Sequence, residues 1–129
     1  MRCFAIILAL VAAFSTAALA QQSGVKRDLL ERGDLAAAPQ LETIVGTAEI
    51  AAGTSSGRHT HPGPEFGYVL KGSITMKIEG RPDRKLKAGD HYQIPAATAH
   101  EAIASKGRTA KVIATWVVEK AKPFAEAAK

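Results

Sequence analysis

The sequence predicts an all-β fold, an antiparallel sandwich or barrel, and three observations carry that prediction. Ser73 to Glu79 alternates, with Ile74, Met76 and Ile78 on one face and Thr75 and Lys77 on the other. Lys111 to Val118 is a short, strongly hydrophobic run rich in β-branched residues, the most hydrophobic strand candidate beyond the N-terminal segment. Turn signals built on Gly, Pro and Asp recur at close spacing along the chain, as many short antiparallel strands require.

The first twenty residues stand apart from that pattern. Arg2 supplies a positive start, Phe4 to Phe14 is nearly all apolar, and Ala18-Leu19-Ala20 before Gln21 has the small-x-small form of a signal-peptidase site. The apolar run is interrupted by Ser15 and Thr16, which favours a cleaved signal peptide over a membrane anchor. Residues 1–20 are therefore expected to leave an exported protein, periplasmic or secreted, that starts near Gln21 and has no stable membrane insertion. Cys3, the single cysteine, sits too early for a lipid anchor and leaves with the signal, so no disulfide or cysteine chemistry is expected. The chain of 129 residues has 17 Lys and Arg against 12 Asp and Glu, and loss of Arg2 leaves 16 and a net charge of +4. That excess is spread out, which supports solubility and no nucleic-acid partner. The remaining 109 residues suit one domain.

Residues 21–40 read as an N-terminal arm, in which Val25 to Leu35 is either a short helix or a segment laid over the domain. The domain proper is expected over 41–119. Leu41 to Ile50 reads as one strand, with Gly46 a candidate break point, and Glu65 to Lys71 as another, closed by Gly72. Turns follow at Gly80 to Asp83 and at Ala88 to Asp90. His91 to Ile94 is a strand stopped by Pro95, His100 to Ser105 is the next, and Lys106 to Arg108 turns into the hydrophobic run. Residues 120–129, rich in Ala and Lys with Pro123 inside, are expected to be a flexible tail. No internal repeat or second domain is visible.

The chemistry concentrates in one stretch. His59, His61 and Glu65 fall within seven residues of a chain with four histidines. An extended His59-Thr60-His61 puts both imidazoles on one face, roughly 6–7 Å apart along the backbone. Pro62-Gly63-Pro64 must turn the chain, which returns Glu65 towards the same point. Two imidazoles and a carboxylate form a mixed N/O set suited to one divalent transition metal, Fe, Mn, Ni, Cu or Zn. On the Glu65 strand, parity places Gly67 and Val69 beside the carboxylate, leaving room for a ligand, and turns Phe66 and Tyr68 away. Arg58 faces solvent by the same parity.

The spacing Gly53-x5-His59-x-His61-x3-Glu65-x6-Gly72 resembles the first motif of the cupin family at every position. The second motif follows at Gly89 to His100, with Gly89, Pro95 and His100 in place. Ala97 stands where the family usually has Gly, and Ala104 where it often has Asn. The resemblance implies a double-stranded β-helix (a jelly-roll barrel), His100 as a fourth metal ligand beside His59, His61 and Glu65, and a homodimer. It also implies a metal-dependent enzyme of dioxygenase or lyase/isomerase type acting on a small molecule. The alternative is a non-catalytic periplasmic module that binds a metal or small ligand, supported by the scarcity of acid–base residues beyond the ligands. Glu65 is the one candidate proton acceptor, and His91 reads as a surface residue. Phe66, Tyr68, Met76, Tyr92, Gln93 and Trp116 are divided between lining the pocket and filling the sandwich.

Overall fold

A computed structural model describes residues 24–129, so the expected signal peptide and its cleavage point near Gln21 lie outside the described residues. Ten strands follow in order: β1 (Val25–Asp34), β2 (Leu41–Ile50), β3 (His59–Thr60), β4 (Glu65–Lys71), β5 (Ser73–Ile78), β6 (Arg84–Lys87), β7 (His91–Ile94), β8 (His100–Ala104), β9 (Ala110–Glu119) and β10 (Glu126–Ala127). They form two five-stranded antiparallel sheets, ordered β1-β2-β9-β4-β7 and β10-β3-β8-β5-β6. The expected all-β jelly roll is the fold. Among the described residues no helix is long and apolar enough to cross a membrane.

Alternation decides which residues meet between the sheets. Ile74, Met76 and Ile78 of β5 point inward, as do Ala110, Val112, Ala114, Trp116 and Val118 of β9. On β4 the inward residues are Glu65, Gly67 and Val69, while Phe66, Tyr68 and Leu70 are exposed. Ile44, Ile50, Val69, Ile74 and Ile94 are almost completely buried, each contributing about 1.5–3 kcal/mol through apolar surface removed from water. A larger apolar cluster holds Ile50, Ile74 and Ile94, and a smaller one joins Ile44, Trp116 and Val118 with Phe124 packed against it.

Three segments differ from the sequence expectations. The N-terminal arm is neither a helix nor a loose cover. It is an edge strand paired with β2 from Val25↔Ile50 to Asp34↔Glu42, with a bulge between Leu29 and Glu31. Its charged residues obscure the β pattern, as is common on edge strands that face water. β2 runs through Gly46 without a break. The tail expected to be flexible returns to the sandwich: Glu126 and Ala127 pair with Thr60 and His59, and the Ala128 N–H donates to the Arg58 carbonyl at 3.0 Å. Those backbone bonds need no particular side chains, so Ala-rich text carries no sign of them.

The two departures from the second motif have different consequences. Ala104 is buried in the larger cluster, where an apolar residue fits. Ala97 adopts φ 56°, the left-handed region that the family's usual glycine suits, and its N–H donates to the His61 carbonyl at 2.8 Å. A Cβ there costs roughly 1–2 kcal/mol, partly offset by the larger unfolded-state entropy of glycine. Ala97→Gly is therefore expected to stabilise the protein by about 0.5–1 kcal/mol in urea unfolding, and a destabilised variant would contradict the strained turn.

Candidate functional site

The site joins the two sheets. His59 on β3 lies directly across from His100 on β8, with ring centroids 4.3 Å apart. His61 follows β3, its ring 4.9 Å from His59 and 5.4 Å from His100. Pro62 to Pro64 then carries the chain into the other sheet, where Glu65 opens β4 between Trp116 of β9 and Ile94 of β7. That crossing lies flush on β9: a Cβ on Gly63 would sit 1.6 Å from the Val117 carbonyl oxygen, so only glycine fits. Candidate ligand atoms of the three imidazoles all lie within 4.8 Å of one another. Glu65 Oε2 is 3.4 Å from His61 Nε2 and 3.2 Å from His100 Nε2. The fold thus brings the four residues singled out by spacing to one point, while His91 is exposed at the start of β7.

Backbone carbonyls set the chemistry of the rings. His59 Nδ1 faces the Gly57 carbonyl at 2.8 Å, His61 Nδ1 the Phe124 carbonyl at 2.7 Å, and His100 Nδ1 the Thr98 carbonyl at 2.9 Å. A carbonyl oxygen only accepts, so each Nδ1 carries a proton, and in its neutral form each ring turns an Nε2 lone pair inward. Burial, with repulsion from His100, pulls the His59 pKa down from 6.5 to about 4. Burial also lowers that of His61, against the pull of Glu65. Burial pushes the Glu65 carboxyl up, but His100, His61 and the Trp116 N–H outweigh it and hold the group below its usual range. The result is a buried cluster of acceptors. His100 Nε2 has no hydrogen-bond partner there, although the Glu65 oxygen is only 3.2 Å away.

A carboxylate oxygen and an imidazole nitrogen at that distance call for a proton or a metal cation between them. Ligand atoms held ~2.0–2.2 Å from one ion stand roughly 2.8–3.6 Å apart, from octahedral to tetrahedral angles. The 3.2 and 3.4 Å separations around Glu65 match that range. The donor set therefore fits a divalent transition metal.

Glu65 is held from behind. Tyr92 Oη donates to Oε1 and Trp116 Nε1 to Oε2, both at 3.0 Å. Burial and the Glu65 charge raise the Tyr92 pKa well above 10.0, so the phenol stays a donor. Tyr92 reaches the carboxylate because its partner across the strands is Gly67. A Cβ on Gly67 would come within 2.0 Å of the phenol ring. The room expected there for a ligand is filled by Tyr92.

Beside these residues lies a cavity of about 620 Å³ within the size range of small-molecule sites. Met76, Tyr92 and Trp116 line it, whereas Phe66, Tyr68 and Gln93 border a shallower outer groove. Two lining residues escaped sequence reasoning. Phe124 stacks near His61 and Trp116, at 4.7 and 5.0 Å between centroids, and lies in a tail without periodicity. Arg27 enters from β1, where strand alternation, once β1 is known, puts it on the face of buried Val25. Arg58 reaches the surface acid Glu79 at 3.3 Å.

The Cupin_2 family, described as a cupin domain, matches residues 46–118, which include all four clustered residues. The chain belongs to the cupin family. Solved structures agree with this cupin fold. The DMSP lyase DddQ from Ruegeria pomeroyi is 24% identical with a TM-score of 0.60, over 66% of this chain and 42% of DddQ. KdgF from Halomonas sp. is 24% identical with a TM-score of 0.61, over 77% of this chain and 84% of KdgF. The polyketide cyclase RemF from Streptomyces resistomycificus is 19% identical with a TM-score of 0.63, over 83% and 72% of the two chains. This cupin thus spans less than half the length of DddQ. No curated protein sequence matches it.

The electrostatics of the cluster make the metal-free protein acid-sensitive. The unfolded chain takes up the His59 proton near pH 6.5, the folded chain only near pH 4. Stability is therefore full above about 6.5, falls as pH drops through that window, and loses up to about 3 kcal/mol from His59 alone. Urea unfolding of chelator-treated protein at a series of pH values measures this, and a flat profile between 7 and 4 would contradict it. Separately, Gly67→Ala should cost about 1–3 kcal/mol by overpacking the Tyr92 ring. Loss of the buried tyrosine's near-ultraviolet signature would accompany it, and wild-type stability in that variant would refute the packing argument.

Proposed function

We propose that this cupin is an exported, metal-dependent enzyme acting on a small molecule, with His59, His61, Glu65 and His100 holding one divalent transition metal. The observation that carries the proposal is the acceptor-only cluster: three Nδ1–H groups tied to carbonyls, with a carboxylate facing the inward nitrogens, beside a cavity of about 620 Å³. A bound ion there supplies Lewis-acid polarisation or acidified water for an oxygen-bearing chelating substrate. A dioxygenase or a lyase/isomerase is the reaction type, consistent with the cupin domain and with the lyase and the cyclase among its structural neighbours.

The protein's own residues orient and shield more than they move protons. Tyr92 and Trp116 donate to both oxygens of Glu65 and fix its orientation, which favours a ligand role over that of a loosening proton acceptor. Phe124 and Trp116 pack beside His61 and keep water from that side of the ring. The same scarcity of free acids and bases supports the second reading, a non-catalytic periplasmic module for a metal or small ligand. Export rests on the small-x-small sequence before Gln21. For the homodimer, the exposed Phe66, Tyr68 and Leu70 on the outer face of β4 offer a contiguous apolar surface.

Elemental analysis of the 21–129 protein, purified without tags or chelators, tests the centre beside a His59→Ala/His61→Ala double variant. About one equivalent of a transition metal in the parent and none in the variant is expected for a single four-ligand site; no metal in either after reconstitution would remove the metal centre. Turnover of a chelating substrate only in the loaded protein separates the enzyme from the binding module.

A further inference from the structure

The cavity carries a charge that the metal cluster does not use. On β1, Arg27 and Leu29 share the inward parity of Val25 and line the cavity opposite Ala48 and Gly46 of β2. One Arg27 N–H, on Nη2, donates to the Ser56 carbonyl at 2.6 Å and steadies the half-buried guanidinium. An arginine carries five N–H donors, so this single bond leaves most of the fork available. Among the described residues no carboxylate pairs with it. Glu65 is the one acid lining the cavity, and its oxygens are committed to Tyr92, Trp116 and the histidines. Arg58 differs, since Glu79 balances its charge. A partly desolvated, uncompensated cation against largely apolar walls is costly until an anion arrives, and there its attraction is stronger than in water.

We propose that Arg27 is the recognition point for a carboxylate on the small molecule that enters this cavity, so that the ligand class is an apolar organic acid. The planar fork matches a carboxylate in two-point geometry. A phosphate dianion would call for further donors; Leu29, Ala48 and Ile50 line the cavity on the Arg27 side, and Arg58, the other arginine on its wall, is paired with Glu79. The plain structural role, tying β1 to the Ser56 loop, needs only one of the N–H groups. The inference rests on the proposed small-molecule site, yet its test does not require the metal.

The experiment titrates hexanoate and its uncharged counterpart hexanamide into the 21–129 protein, zinc-loaded and chelator-stripped, by calorimetry. Hexanoate is expected to bind at least about tenfold tighter than hexanamide in both states, as a charge-assisted hydrogen-bonded pair provides. Arg27→Gln should bring the two probes within about twofold, and Arg27→Lys, which keeps charge without the fork, should retain an intermediate preference. The lysine variant serves if the glutamine variant does not fold, because a preference left at the wild-type value in it overturns the fork-based assignment. Equal binding of both probes to the parent, binding of neither, or a preference that survives Arg27→Gln overturns the proposal. A preference seen only with zinc and indifferent to Arg27 would place the carboxylate on the ion and overturn it too. Failure of the metal proposal reads separately, as no zinc uptake, with the stripped-protein comparison still decisive for Arg27.

Discussion

The constraint on which the site depends is the burial of lone pairs that face one another. Three imidazoles and a carboxylate meet between the sheets, and their inward atoms are acceptors because each Nδ1 proton is spent on a backbone carbonyl. Burial disfavours protonating the His59 and His61 rings, whose pKa values are lowered. Such an arrangement is stable only if the surrounding fold is rigid enough to enforce it or a cation relieves it. The packing of Ile44, Ile50, Val69, Ile74 and Ile94 around the sheets supplies the rigidity.

The donors come from three segments, β3 with His61 just after it, β4 and β8, which makes the site a property of the whole sandwich. His59 and His100 are neighbours through the β3–β8 ladder, and Glu65 comes from the opposite sheet through the Pro62–Pro64 crossing. Two glycines permit close contacts that any side chain would block. Gly63 lets the crossing lie on Val117, and Gly67 lets the Tyr92 ring reach Glu65. The tail closes the arrangement from the other side, where the Phe124 carbonyl accepts from His61 and the residues after it pair with β3.

This architecture separates two kinds of polarity in one chamber. At the histidine–Glu65 cluster the protein presents acceptors, suited to a cation. Arg27 presents donors, suited to an anion, and apolar side chains lie around both. Under the proposals above, such a chamber suits molecules with an oxygen-rich end and an apolar body. Selection by complementary charge in a poorly hydrated space is stronger than the same contacts achieve in water.

Local pattern in the sequence determined which residues face inward and which side chains hold chemistry. The alternation of Ile74, Met76 and Ile78 gave the β5 face directly, because a strand repeats every two residues. The spacing of His59, His61, Glu65 and His100, read with the family motifs, identifies the cluster. Those signals are short-range or motif-borne, and they survive in plain text. What only the tertiary structure decided are contacts made by backbone or across long sequence separations. The carbonyls of Gly57, Thr98 and Phe124 leave no residue-type signature, since every residue has one. Arg27 enters the cavity only because β1 pairs with β2 in one register, and a charged edge strand hides that pairing. The tail binds β3 through main-chain bonds that tolerate almost any side chain, so its Ala-rich sequence reads as flexible until the sheet edge is there to receive it.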